Sequence, residues 1–245
     1  MRNIKIVVEY DGTGYFGWQR QDNFLTVQQV IEEAAARIAQ EEIAVIGSGR
    51  TDAGVHALGQ VANFRTRSRI PEESFLRGLN SLLPADVAIR ELVEVAPSFH
   101  ARYDAKSKVY LYRIWNARVR SPLLRNYAWF VRRPLDLDGM RAALSYCLGT
   151  YDFSSFCAAG DEISSRVRSV TAAGIEADER GMVTITMEAD GFLRHMVRNI
   201  AGTLVEIGRG KRPVSDVPEI MAAMDRRMAG VTAPPQGLFL KEVKY

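Results

Sequence analysis

"GSGRTDAGVHALGQ" (residues 47–60) separates two short apolar runs, "IAVIGS" (43–48) and "GQVANFRT" (59–66). Runs of this length, rich in Val and Ile and divided by a glycine-rich stretch, predict two strands joined by a loop. Upstream, Thr26 precedes a helical pattern of Val27, Val30, Ile31, Ala34 and Ile38, which predicts a helix to about Gln40. Gln29 stands where a capping box would let it reach back to the Thr26 backbone. Residues 4–10 alternate, with Ile4, Ile6, Val8 and Tyr10 on one face, the period of a half-buried strand. "GTGYFG" (12–17) reads as the turn after that strand. Downstream of Pro71, the residues Phe75, Leu76, Leu79, Leu82 and Leu83 have helical spacing, stopped at Pro84, and "DVAIRELVEV" (86–95) predicts a strand. The order is β-α-β-β-α-β, the split βαβ or ferredoxin-like unit.

The remaining chain fits a decorated second copy. "KVYLYRIWNA" (108–117) predicts a strand, and "LDLDGMRAALSYCLG" (135–149) a helix with Met140, Leu144 and Cys147 on one stripe. "SRVRSVTAAGIEAD" (165–178) and "MVTITMEAD" (182–190) predict a hairpin turning at 179–181. "FLRHMVRNIAGTLVEIG" (192–208) predicts a helix with Met196, Ile200, Leu204 and Ile207 inward, and "GLFLKEVKY" (237–245) a closing strand. Extra helical material is expected near 217–228, and 152–168 reads as a long loop. The expected class is α+β, with ferredoxin-like halves at 1–105 and 106–245 whose antiparallel sheets meet at a central cleft.

The 245 residues are 47% hydrophobic, ample for a folded core. No apolar run is long enough for a membrane helix and the N-terminus does not resemble a signal peptide, so a cytoplasmic protein is expected. The two cysteines, Cys147 and Cys157, form no CxxC and read as reduced core thiols. Net charge is only +3, but its distribution is uneven. Between His100 and Asn126, Arg102, Lys106, Lys108, Arg113, Arg118, Arg120 and Arg125 face a single acid, Asp104. Tyr103, Tyr110, Tyr112 and Trp115 lie among these cations, a mixture able to pair phosphates and stack bases, or simply a strand with a solvated basic face.

His56, His100 and His195 form no HExxH and no Cys/His cluster, which argues against zinc chemistry. No Walker A motif and no G-x-S-x-G elbow occurs. What is left is carboxylate chemistry at Asp52, beside Arg50, with Arg198 on a helix elsewhere. A cation can keep a carboxylate ionised in a dry site, where it can attack a sugar carbon. Residue types alone leave Asp52 open as turn former or nucleophile.

Seven segments together resemble the TruA family of tRNA pseudouridine synthases: "EYDGTGYFGWQRQ" (9–21), "GSGRTDAGVHALGQV" (47–61), "FHAR" (99–102), "YLYRIWN" (110–116), "DFSSF" (152–156), "FLRHMVRNIAG" (192–202) and "GLFLKEVKY" (237–245). They occur in the family's order from end to end. The resemblance implies the pseudouridine synthase fold and isomerisation of uridine to pseudouridine at positions 38, 39 and 40 of the tRNA anticodon stem-loop. It implies a homodimer with no metal and no cofactor. It assigns Asp52 as the essential aspartate, acting at C1′ or by elimination through a glycal. Arg50 is implied to reach toward the RNA as the target base leaves its stack. Tyr110 is implied to pack on the uracil and act in proton transfer, Arg198 to pair with the aspartate, and Leu240 to line the pocket. Phe99, His100, Ala101, Arg102 and Tyr103, with the 152–168 loop, are the expected tRNA contacts.

Two other classes compete. A non-catalytic RNA-binding module could use a ferredoxin-like sheet with exposed aromatics, but it would have no need of Asp52. A glycoside hydrolase would want a second carboxylate across the scissile bond, and no acid partner for Asp52 suggests itself.

Overall fold

The computed structural model describes residues 1–158 and 164–245. Two units are distinguished: Met1–Lys106 with Phe239–Tyr245, and Ser107–Leu238. Strands and helices combine as an α+β fold.

The first unit opens with β1 (Arg2–Tyr10), which buries Ile4, Ile6, Val8 and Tyr10 as the alternation predicts. A single 3-10 turn (Gly12–Gly14) follows, and then α1 (Val27–Ala39). Thr26 caps α1 by accepting from the Gln29 N–H, while Gln40 closes it in the left-handed conformation. The expected capping box is only half formed, because the Gln29 side chain donates to Glu33 Oε1 one turn on. After β2 (Val45–Gly47), β3 (His56–Thr66) begins three residues earlier than the sequence suggests, shortening the loop between them to 48–55. α2 (Glu72–Leu82) and β4 (Val87–Val95) complete the run. These four strands pair antiparallel, in the order β4-β1-β3-β2. Phe75 and Leu79 of α2 are buried, with the Phe75 ring 5.8 Å from that of Phe64 on β3.

In the second unit, β5 (Ser107–Asn116) pairs antiparallel with β9 (Met182–Ala189), β9 with β8 (Val167–Ala177), and β8 with β7 (Gly149–Asp152). The short strand β6 (Trp129–Val131) runs parallel to β5. β6 and β7 have only three and four residues, too few to display a strand period in the sequence. The β8–β9 turn is held by Asp178, whose Oδ1 accepts from the N–H groups of Arg180 and Met182.

The stripes on α3 (Leu137–Ser145) and α4 (Met196–Gly208) are buried at Met140 and Leu144, and at Met196, Ile200, Leu204 and Ile207. α4 starts four residues later than expected because His195 takes a left-handed conformation, φ 64°. α5 (Asp216–Ala223) and a 3-10 turn (Arg226–Met228) supply the anticipated extra helix. Cys147 and Cys157 are both buried. Of the expected long loop, 152–168, both ends are strand residues and 154–156 form a 3-10 turn, while 159–163 lie outside the described residues.

The last strand, β10 (Leu238–Lys244), was expected to close the second half. Instead Phe239–Tyr245 groups with the first unit, where Phe239 and Leu240 pair in parallel with His56 and Ala57 of β3. Among the described residues, no helix is long and apolar enough to cross a membrane.

Candidate active site

Asp52 is half-buried in the loop that follows β2, with Arg50 exposed and Thr51 buried on either side of the turn's start. Backbone and side-chain bonds pin both ends of this loop. The Ser48 N–H donates to Val61 O at 2.8 Å and its hydroxyl to Gln60 Oε1 at 2.6 Å, while Gln60 Nε2 returns to Gly49 O at 3.0 Å. A turn across Asp52 is closed by the Val55 N–H donating to Asp52 O at 3.1 Å. Buried polar groups satisfied in this way hold one conformation, because breaking any of them strands a donor or acceptor away from water.

The "GTGYFG" segment, which reads from sequence as a plain turn, is together with Trp18 the loop's support. The Trp18 N–H donates to Thr51 O at 3.1 Å, and the Gly54 N–H donates to Tyr15 O at 3.3 Å. Gly17, at φ +87°, lies so close that a Cβ there would collide with Thr51 O and crowd the Asp52 carbonyl carbon. At the far end, the Gly12 N–H donates to His56 Nδ1 at 3.0 Å, and the buried imidazole stacks on Phe239 with centroids 4.6 Å apart. Leu240, the next residue on β10, is almost fully buried beside Ala57.

Also in the first unit, the "FHAR" block is a tight turn with unequal members. His100 Nδ1 accepts from the N–H groups of Arg102 and Tyr103, at 3.2 and 3.3 Å. Ala101 is wholly buried; its N–H donates to Asn63 Oδ1 and its carbonyl accepts from the Tyr245 hydroxyl. Phe99 packs on the Tyr245 ring at 5.0 Å. Arg102 is left exposed, as is Tyr103 next in the chain, with the guanidinium 5.9 Å from the ring centroid.

In the second unit, Tyr110 lies on β5, largely buried, with its ring edge-on to Phe192 at 5.0 Å. Tyr112, expected among base-stacking aromatics, is fully buried and donates its hydroxyl to Pro234 O at 2.8 Å. Burial holds that phenol protonated well above its ordinary range, against a smaller opposing pull from the Arg198 charge. Arg198 stands in the first turn of α4. Its Nε donates to Ala233 O at 2.8 Å, and the Ala233 N–H returns to Arg198 O at 3.1 Å. Gly202, one turn on, lets the same segment press against the helix, since a Cβ there would overlap Val231 O.

A family model described as tRNA pseudouridine synthase matches residues 6–104 and 143–245. The chain belongs to the tRNA pseudouridine synthase family. It is 49% identical over 245 residues, covering all of both chains, to the tRNA pseudouridine synthase A of Caldicellulosiruptor bescii and to that of Thermoanaerobacter pseudethanolicus. To the tRNA pseudouridine synthase A of Myxococcus xanthus it is 46% identical, over all of this chain and 92% of the relative. The tRNA pseudouridine synthases are isomerases, and this chain is an enzyme of that kind.

Behind Arg198 in this tRNA pseudouridine synthase is a polar hub that sequence reading did not find. The fully buried Asn199 donates Nδ2 to Phe156 O at 2.7 Å. Its Oδ1 accepts from Arg226 at 3.0 Å and from the Thr232 hydroxyl at 2.7 Å. The "MVRN" motif displays Asn199 beside Arg198, but Arg226 and Thr232 lie far along the chain, so only the fold reveals the network. Among the described residues, no group of three or more His, Cys, Asp or Glu side chains is placed to hold a metal ion.

Proposed function

We propose that this enzyme converts uridine to pseudouridine at positions 38, 39 and 40 of the tRNA anticodon stem-loop, with Asp52 as the nucleophile on a flipped nucleotide. The observation that carries the proposal is the setting of Asp52: a half-buried carboxylate in the family's "GRTDAGVHA" stretch, on a loop whose backbone is pinned at Thr51 and Gly54. Such anchoring suits a reaction that needs one carboxylate held still while the base moves.

The atoms balance without an external reactant. Asp52 acts on the ribose, by addition at C1′ or by elimination to a glycal, and the bond between N1 and C1′ breaks. The uracil turns, C5 bonds to C1′, the C5 proton departs and N1 gains a proton. Arg198, in the role the family resemblance gives it, is the counter-ion that keeps Asp52 ionised, and Tyr110 covers the uracil and takes part in the proton transfer. Arg50 reaches the RNA as the target base unstacks, a step that costs a few kcal/mol. Leu240 contributes apolar lining. Arg102 and Tyr103 offer a cation and an exposed ring to the tRNA, with Phe99, His100 and Ala101 shaping the turn that presents them. The 152–168 segment is a further tRNA contact.

Each unit is read as one ferredoxin-like half, a reading supported in the first by its antiparallel order β4-β1-β3-β2. The family resemblance also supports a homodimer acting in the cytoplasm. The test is to incubate the purified protein with unmodified tRNA transcripts and map pseudouridine by position. New pseudouridine confined to positions 38–40 is expected; pseudouridine elsewhere, or none, overturns the assignment.

A further inference from the structure

We propose that the excursion between β1 and α1 carries an RNA-binding platform, in which the stacked rings of Phe16 and Phe24 receive an unstacked base of the substrate tRNA. The inference rests on the functional reading above and adds a site to it. Phe16, Phe24 and Leu25 are 52%, 44% and 52% exposed. The two rings lie nearly parallel, 24° apart in plane, with centroids at 4.0 Å. Phe64, Phe75, Phe153, Phe156 and Phe239 of the same chain are all buried, so this pair is not exposed for want of a core.

Backbone bonding holds the platform in place. The Phe16 N–H donates to Leu25 O at 2.9 Å, Gln21 bridges Phe24, and Gln21 Nε2 donates to Phe16 O at 3.0 Å. The residues that flank Phe16 and Gly17 are those bonded to the catalytic loop: Tyr15 O receives the Gly54 N–H, and the Trp18 N–H reaches Thr51 O. The stacked rings are thus built onto the same rigid backbone as Asp52.

The chemistry of the patch favours a nucleobase. A flat, exposed aromatic face stacks any base, and the exposed Arg50 on the bonded loop supplies positive charge for the phosphate backbone, whereas the exposed Arg20 is paired with Glu32 at 2.9 Å. Three half-exposed apolar side chains present about 300 Å². A stable protein interface buries about 800 Å² on each partner, so the patch is too small to be a protein-docking face by itself.

The test compares Phe24→Ala and Phe24→Trp with wild type, measuring Kd for an anticodon stem-loop RNA and for a blunt duplex of the same stem, with sedimentation to read oligomeric state. Phe24→Ala is expected to weaken stem-loop binding about 5- to 150-fold, the range of one lost base stack. Duplex binding stays within about two-fold, Phe24→Trp restores the loss, and the oligomer is unchanged. Equal weakening on both RNAs, or weakening that tracks oligomer dissociation, overturns the platform. If wild type binds the stem-loop and Phe24→Ala binds it equally well, the platform alone fails. If wild type binds neither RNA, the functional reading fails and takes the platform with it.

Discussion

The hydroxyls of Tyr10 and Thr51 lie 2.7 Å apart, so the last residue of β1 is hydrogen-bonded to the residue before Asp52. Both side chains are buried. Tyr10→Phe leaves the Thr51 hydroxyl buried without this partner, at a cost of about 1–3 kcal/mol in stability. If the bond positions Asp52, kcat should fall by more than that loss of folded protein explains, with KM for tRNA little changed. Urea denaturation beside steady-state kinetics separates the two effects; an unchanged kcat in fully folded variant contradicts the positioning role.

Gly17→Ala is the harsher test of the same support. The substitution places a methyl group against Thr51 O at a φ of +87°, a region that costs a non-glycine residue about 1–2 kcal/mol before any clash. We expect turnover to drop at least about ten-fold, since small misplacements of a reacting group cost that much or more. A variant with normal kcat shows that the Asp52 loop tolerates displacement.

Much of the fold was legible because its signals are local. The alternation of Ile4, Ile6, Val8 and Tyr10, the Thr26 cap and the turn before Met182 each depend on neighbours within a few residues. Legibility ended where a partner is remote. Gln29 fits a capping box by spacing, yet Glu33 competes for its amide one turn away. Tyr112 looks like a stacking aromatic beside cations, until the distant Pro234 carbonyl accounts for its hydroxyl. At the site, Asp52 and its loop stood out as residue types, whereas the support from Gly17 and the Asn199–Arg226–Thr232 hub exist only in three dimensions.

Arg198 has its Nε fixed by the Ala233 carbonyl, an orientation a lysine cannot copy. Arg198→Ala should lower kcat about 100-fold or more, with tRNA affinity within about three-fold of wild type. Arg198→Lys should recover little of that loss. Single-turnover rates with filter-binding affinities check both variants; a large loss of affinity at normal single-turnover rate reassigns Arg198 to phosphate contact.

Folding raises several acid groups at once. Tyr10 and Tyr112 are held protonated above the ordinary tyrosine value of 10.0 by burial, and burial pushes the Cys147 thiol from 9.0 up to about 12. A raised group contributes its full stability below its unfolded value and loses it as pH climbs toward the folded one. Stability from these groups should therefore be level up to about pH 9 and fall between about pH 9 and 12. Denaturation midpoints across that window, read beside tyrosinate absorbance, check the slope. Tyrosinate from Tyr10 and Tyr112 should appear together with unfolding, and its appearance in intact protein contradicts their burial.

Release of tritium from tRNA labelled at uridine C5 tests the assignment of Asp52 most directly, because the C5–H bond must break in the isomerisation. Wild-type protein is predicted to release tritium, while Asp52→Asn binds the same tRNA and releases none above background. Full release by Asp52→Asn would contradict the role of Asp52 as nucleophile.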